Sequence, residues 1–228
     1  KLVTYHRYPL LACFSQPGDA RYPSIPNLLE PDASRDLLQG IGDAIAFAHS
    51  HGATVRIDEL NSVACAGEPG VSDTFASALW MLDTLFAMAR AGVDGVNIHT
   101  LPTAAYEPFV FHRIFGRWLA TVRPEYYSLL MFAQAAPPGA RMLGLEETAS
   151  TDVRSRATVT KDGEVHVVLI NDSLTSGHVV FVRPPTKARE AVLERLRAPS
   201  AAATSDVTLA GQTFGSETGT GTLKGKLK

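Results

Sequence analysis

The densest group of potentially reactive side chains is Arg56-Ile57-Asp58-Glu59-Leu60-Asn61-Ser62, which reads as the end of a β-strand. Alternate residues of a strand share a face, so Val55, Ile57 and Glu59 are expected on one side. Two apolar residues followed by a carboxylate at the carboxyl end is how a parallel strand delivers a catalytic group to a pocket. The competing reading is a glutamate that only caps the following loop. The same alternation sends Arg56 and Asp58 to the helix-facing side, where apolar residues belong, so they must pair with each other or the strand must be irregular. Two further strand ends carry polar groups: His6 and Tyr8 before Pro9, and Asn97 and His99 before Thr100-Leu101-Pro102. One such histidine is usually structural. Three converging strand ends suggest a site. A phenol or imidazole beside a carboxylate can hold one oxygen by a hydrogen bond and leave the other free to attack.

These groups need a scaffold, and the first part of the chain alternates strand and helix signals. Leu2 to Tyr8, Ala53 to Glu59 and Val93 to Thr100 read as strands. Residues 15–31 hold four prolines and a glycine and read as a loop. Leu38, Ile41, Ile45 and Ala48 lie at helical spacing ahead of Gly52. Phe75, Leu79, Leu82, Phe86 and Ala89 form an apolar stripe closed by Gly92, with Ser72 or Asp73 expected as the cap. A helix is predicted from Pro124 to Ala135. Strands alternating with helices indicate βαβ units and a parallel sheet.

The pattern changes after Pro137-Pro138-Gly139. Val153 to Thr160 and Glu164 to Asn171 flank Lys161-Asp162-Gly163, an Asp-Gly hairpin signal. Val179 to Val182 and Asp206 to Ala210 are expected as further strands, and Gly211 to Lys228 as a last ragged strand or a disordered tail. The expected organisation is therefore an α/β part over 1–139 and an antiparallel β domain over 140–228. Three strand–helix units are fewer than the eight of a closed barrel, which takes about 250 residues. The α/β part is then either an open sheet or a barrel whose first units lie outside this chain. In the second case its sheet is expected to leave a long apolar face exposed.

The 228 residues are 45% hydrophobic and 19% charged, with a formal net charge of -2. This balance argues against a nucleic-acid or membrane-surface partner, both of which call for basic excess. No apolar run is long enough to span a bilayer. The first residue is Lys1, with no leader pattern, and a processed or truncated product is expected. The seven histidines and two cysteines show no metal-ligand spacing, so neither metal nor cofactor is expected. Cys13 and Cys65 read as small buried hydrophobes, with one disulfide as the alternative.

The run DELNSVACAGEPGVSDTFASALWMLDTLFAMARAGVDGVNIHT, from Asp58 to Thr100, resembles the nucleophile strand, the following helix and the last barrel strand of glycoside hydrolase family 79, which contains β-glucuronidases and is related to heparanase. YHRYP at Tyr5–Pro9, the Pro124-Glu125-Tyr126-Tyr127 helix start and the β domain extend the resemblance over nearly the whole chain. It implies a (β/α)8 TIM barrel with an attached β-sandwich, of which this chain holds about the sixth to eighth units plus most of the sandwich. It implies Glu59 as nucleophile and Tyr8 as the tyrosine that contacts it. His99 and Tyr106 would line the sugar pocket; His6 and Asn61, polar residues at the same strand ends, are expected from their position as further substrate contacts. The family's acid/base glutamate sits in an Asn-Glu pair after the fourth strand. No such pair occurs here, so that residue is expected upstream of Lys1. A Tyr and a Gly that help read the sugar carboxylate in the family are matched by Ala64 and Ala66. The backbone N–H groups around Ala66 and Gly67, with Tyr106, are the remaining candidates for that task.

The function the resemblance implies is a retaining β-glycosidase with β-glucuronides as expected substrates, incomplete without the missing N-terminal barrel segment. The alternative is a non-catalytic carbohydrate-binding or structural fragment. An open-sheet esterase finds no Gly-x-Ser-x-Gly elbow. The compartment is not fixed, although enzymes that attack external glycans are commonly exported, which favours an extracellular site of action.

Overall fold

The structure is a computed structural model that describes residues 1–147, 152–183 and 190–227. Strand β1 (Leu2–Arg7) leads into the short β2 (Leu10–Leu11). Helices α1 (Ile25–Leu29), α2 (Pro31–Arg35) and α3 (Gly42–Ser50) follow, with a 3₁₀ turn at Asp36–Leu38. Part of the predicted 15–31 loop is therefore helical. Its prolines start helices rather than prevent them, because Pro26 and Pro31 stand in first turns, where the missing N–H is not needed. Next come β3 (Thr54–Leu60), β4 (Val63–Ala64), α4 (Phe75–Ala91) and β5 (Gly95–Ile98).

Strands β1, β3 and β5 form a three-stranded parallel sheet with β3 in the middle. The apolar stripe of α4 is buried as predicted, and Gly92 closes the helix with φ at 89°. Its N-terminus is built differently from expectation. Ser72 and Asp73 are turned back to the N–H groups of Glu68 and Gly70, and Thr74 takes the cap position without capping, its hydroxyl donating to the Val71 carbonyl at 2.8 Å. The free N–H groups of Phe75 and Ala76 donate instead to the carbonyls of Ala203 and Ala201. A distant loop thus does the work of the cap, which local sequence could not reveal.

One sheet face is packed on the helices: Val55, Ile57 and Leu60 are fully buried beside Ile45, Met81 and Leu85. The other face carries Leu2, Thr4, His6, Thr54 and Asn97, all exposed. An apolar open face was expected. Apart from Leu2 the face is polar, as suits a surface wetted by water or substrate.

After β5 the chain forms a hairpin not foreseen from sequence, β6 (Phe109–Ile114) and β7 (Arg117–Val122), turning at Phe115 and Gly116. Helix α5 (Pro124–Ala135) then packs along α4. Strands β8 (Arg141–Met142), β9 (Val153–Val159) and β10 (Val165–Asn171) make a second, antiparallel sheet. Its β9–β10 hairpin turns at the predicted Asp162-Gly163. Strands β11 (Leu196–Arg197) and β12 (Thr208–Leu209) pair separately. The strand expected over Val179–Val182 does not form: Val179 is 86% and Phe181 93% exposed. The Gly-rich tail is neither a full strand nor disordered over its described part. It adds bridges at Thr213↔Lys224 and Ala120↔Thr218, and buries Phe214 against Tyr127. Lys228 lies outside the described residues. No helix among the described residues is long and apolar enough to cross a membrane.

Candidate active site

The carboxyl ends of the three parallel strands bring Tyr8, Glu59 and His99 together. The route by which Glu59 arrives differs from simple alternation. Tyr5 pairs with Ile57, but His6 pairs with Glu59, so Asp58 is an extra residue in β3. The opposite neighbour shows the same slip, with Ile57 on Val96 and Leu60 on Ile98. This is a β-bulge, which bends the strand and re-aims the side chains after it. Val55 and Ile57 therefore face the helices, not a pocket. Arg56 is on the open face, with its guanidinium 2.9 Å from Asn97 Oδ1. The bulge brings both Asp58 and Glu59 within reach of His6, whose Nε2 is 3.7 Å from Asp58 and whose Nδ1 is 3.3 Å from Glu59 Oε2. The expected shared face of Val55, Ile57 and Glu59 is thus corrected, while Glu59 still stands beside Tyr8 and His99.

The two oxygens of Glu59 are treated unequally. Tyr8 donates to Oε1 at 2.6 Å. Among the described residues Oε2 has only His6, an exposed side chain at 3.3 Å. Because the Tyr8 proton is spent on Glu59, its 2.7 Å contact with His99 Nδ1 needs the proton of Nδ1–H, which selects that tautomer. The Tyr106 hydroxyl lies 2.9 Å from the same nitrogen. Burial, then the hydrogen bond to Glu59, drives the Tyr8 phenol far above its ordinary pKa, and burial raises that of Tyr106. Both stay neutral hydrogen-bonding groups at any working pH.

Asn61, expected to touch substrate, is fully buried. Its amide donates to the His99 carbonyl at 2.9 Å and lies 3.4 Å from Glu125 Oε1. It ties β3 to the end of β5 and fixes the backbone that carries His99. Ala66 and Gly67 are where the loop after β4 meets the loop after β5. Cys65, Ala66 and Gly67 have φ of 71°, 70° and 82°, and the Ala66 carbonyl accepts from Ala105 N–H at 2.8 Å. A Cβ on Gly67 would lie 3.0 Å from the Tyr106 ring, so glycine here lets Tyr106 pack. The cysteines are joined: Cys13 and Cys65 form a disulfide, with Cα atoms 6.1 Å apart. It staples the loop after β2 to the loop after β4. Pairing replaces the expected free thiols because the parallel ladder sets these loops side by side.

Two groups were missed in the sequence. Asp58 could have been suspected, since alternation sends its carboxylate to the apolar helix-facing side, which signals an irregular strand without saying where the extra residue lies. Glu125, in the first turn of α5, stands where helices commonly carry an acid, so its type and place gave no signal. It is in fact buried behind Asn61, hydrogen-bonded by Ser77 at 3.2 Å, and desolvation lifts its pKa to about 8.

No family model and no curated protein matches the sequence. Among solved structures, the chain is similar to a 4-O-α-L-rhamnosyl-β-D-glucuronidase from Fusarium oxysporum 12S, with a TM-score of 0.72 and 18% identity over 99% of this chain and 47% of that one. It is also similar to the GH51 arabinofuranosidase from Xanthomonas axonopodis pv. citri, with a TM-score of 0.56 and 14% identity over 99% of this chain and 50% of that one. The chain thus spans about half the length of the solved structures it matches. At this identity the shared property is the fold: a mixed helix-and-sheet arrangement found in glycoside hydrolases.

Proposed function

We propose that the chain is the nucleophile-bearing part of a retaining β-glycosidase of the family 79 type, acting on β-glucuronides. The observation that carries this reading is the unequal treatment of Glu59. One oxygen is pinned by a neutral phenol, and the other is open at the carboxyl end of the central parallel strand. In this reading the three parallel strands are the sixth to eighth of a (β/α)8 barrel, and residues 140–228 belong to a β-sandwich. The remaining barrel units come from polypeptide beyond this sequence. The polar open face of the sheet and a cleft of about 620 Å³ beside β1 are where such units would fit. That cleft takes in His6 and Tyr8 but not Glu59, so it is not the sugar pocket itself.

Glu59 Oε2 attacks the anomeric carbon as the bond to the leaving oxygen breaks. A second carboxyl group, about 5–5.5 Å away in a retaining site and outside this sequence, gives that oxygen a proton. The resulting glycosyl ester on Glu59 is cleaved by water, whose proton the second carboxylate takes. Tyr8 keeps Oε1 oriented through both steps, and the Nδ1–H of His99 holds Tyr8. The backbone N–H groups of Ala66 and Gly67 form the end of the pocket that receives the sugar carboxylate, and Tyr106, 2% exposed, backs them by packing under Gly67 and holding His99. Leaving that charge without donors would cost several kcal/mol (roughly).

Two experiments on the full-length protein test the reading. An activated 2-deoxy-2-fluoro-β-glucuronide should leave a sugar ester on Glu59, located by peptide mass; a label on any other residue refutes the assignment. Tyr106→Phe should impair hydrolysis of an aryl β-glucuronide far more than that of an aryl β-glucoside. Equal impairment, or a wild-type preference for the glucoside, ends the glucuronidase reading and leaves the Glu59 assignment standing.

A further inference from the structure

The β6–β7 hairpin has two unlike faces. Residues directly opposite each other share a face, so Val110, His112 and Ile114 lie with Thr121, Leu119 and Arg117. The C-terminal tail covers much of that side. His112 Nε2 is 2.9 Å from Glu217, and Gly219 packs closely on Leu119. The other face carries Phe109, Phe111 and Arg113 opposite Val122, Ala120 and Trp118. At its base Phe109 and Val122 belong to a core, with Phe109 4.6 Å from the Tyr126 ring. Beyond that base the face is bare: Phe111 is 65% and Trp118 64% exposed, and Phe115 at the turn is 99% exposed. Two large aromatics thus stand in water on one face of the hairpin, with a third at its turn, and Arg113 lies directly opposite Trp118 with its Nε donating to the Gly116 carbonyl at 3.1 Å.

We propose that this face is an accessory binding platform for an acidic glycan chain. Trp118 and Phe111 stack on sugar rings, and Arg113 takes a uronate carboxylate. A pyranose presents a face of polarised C–H groups that suits an aromatic ring, while its hydroxyls stay in water. The planar guanidinium suits a carboxylate by paired hydrogen bonds. Position favours the same occupant. The hairpin begins at Phe109, three residues after Tyr106, which contacts His99. Its six-residue strands span about 20 Å at about 3.4 Å per residue, a reach that suits sugars beyond the one bound at Glu59. The inference rests on the proposed glycosidase reading for its choice of an acidic glycan.

The test uses the full-length protein, the double variant Phe111→Ser/Trp118→Ala, and Arg113→Gln. Each is assayed on an aryl β-glucuronide and on a hexasaccharide of alternating uronate and neutral sugars ending in the same β-glucuronide. Affinity electrophoresis in a gel containing an acidic polysaccharide is run alongside. The double variant should raise KM for the hexasaccharide about tenfold, which corresponds to about 1.4 kcal/mol, with the aryl substrate unchanged and retardation in the gel lost. Arg113→Gln should weaken retardation by the acidic polysaccharide but not by a neutral one. Unchanged hexasaccharide kinetics and retardation overturn the platform. So does a lowered Tm with equal loss on both substrates, which would make the face a packing surface for the rest of the polypeptide. If the wild type cleaves neither substrate, the glycosidase reading falls, and the gel alone decides the platform.

Discussion

Two clusters of charged and polar side chains in this molecule are built to opposite specifications. Asp83 of α4 and Asp172, just after β10, meet Arg154 and Arg156 of β9. Arg154 is 2.7 Å from Asp172 and 3.6 Å from Asp83, and Arg156 is 2.6 Å from Asp83. All four side chains are largely buried, and each acid has a guanidinium against it. Glu59 has no such partner. Among the described residues its ion-pairing neighbours are His6 and His99 only, and its one short hydrogen bond comes from a neutral phenol. A carboxylate closed off by guanidinium groups fastens a sheet to a helix and has little nucleophilicity left. A carboxylate pinned at one oxygen and open at the other keeps it.

Replacing the central acid should give the largest effect. Glu59→Gln in the full-length protein should lower kcat/KM by about 10⁴-fold or more, the scale seen when a covalent nucleophile is removed, with Tm unchanged. In Glu59→Ala, where the vacated space admits the anion, added azide should restore turnover by attacking the anomeric carbon as the leaving group departs, forming the α-glycosyl azide. A variant that keeps a tenth of its activity would erase the distinction between the clusters. Arg154→Met should do the reverse. Breaking a buried ion pair leaves uncompensated charge and costs about 3–5 kcal/mol. Urea unfolding should show that loss while the folded fraction keeps its specific activity. Unaltered stability would mean that the ionic cluster does not hold β9 to α4.

A smaller effect is expected at the pin. Tyr8→Phe removes a hydrogen bond to a charged acceptor, worth about 1.5–3 kcal/mol, so kcat should fall roughly 10–100-fold. The glycosyl ester should form at Glu59 more slowly, with little change in Tm. No change in the rate of label formation would show that Tyr8 is packing and not orientation.

The two clusters were not equally legible in the sequence. Tyr8, Glu59 and His99 could be found because each ends an apolar strand, a signal carried by a few consecutive residues. The β9–β10 hairpin was visible for the same reason, through Asp162-Gly163. What failed was non-local. Which residue of β3 is extra depends on its register against β1 and β5, so the bulge at Asp58 could not be read from alternation. The Cys13–Cys65 bond spans 52 positions and becomes evident only once β2 lies beside β4. Val179–Val182 has strand propensity but pairs with no strand among the described residues, and propensity without a partner does not make a strand. The Phe115-Gly116 turn escaped notice because its first residue, at φ 47°, is not an Asn or Asp, the residues that usually mark such turns.

Glu125 belongs to neither specification and offers the finest test of the contrast. It is buried like Asp83, yet among the described residues no cation pairs with it. Its neighbours are the Asn61 amide and the Ser77 hydroxyl. Neutralisation by a proton is the remaining solution, and burial raises its pKa from 4.5 to about 8. The folded state therefore holds a proton between those values that the unfolded chain has released. Stability on this account is fully present below about pH 4.5 and is lost as pH rises towards 8, with a slope of at most about 1.4 kcal/mol per pH unit. Glu125→Gln cannot ionise, keeps a hydrogen-bonding head of the same shape and should remove that slope. Unfolding by urea at pH 5, 6.5 and 8 should give nearly equal stability for the two proteins at the lowest pH and a widening advantage for the variant above it. Parallel curves would mean that Glu125 ionises as freely in the folded state as in the unfolded chain. The hydrogen bonds behind His99 would then rest on a carboxylate, and a buried acid here would need a counter-charge just as Asp83 does.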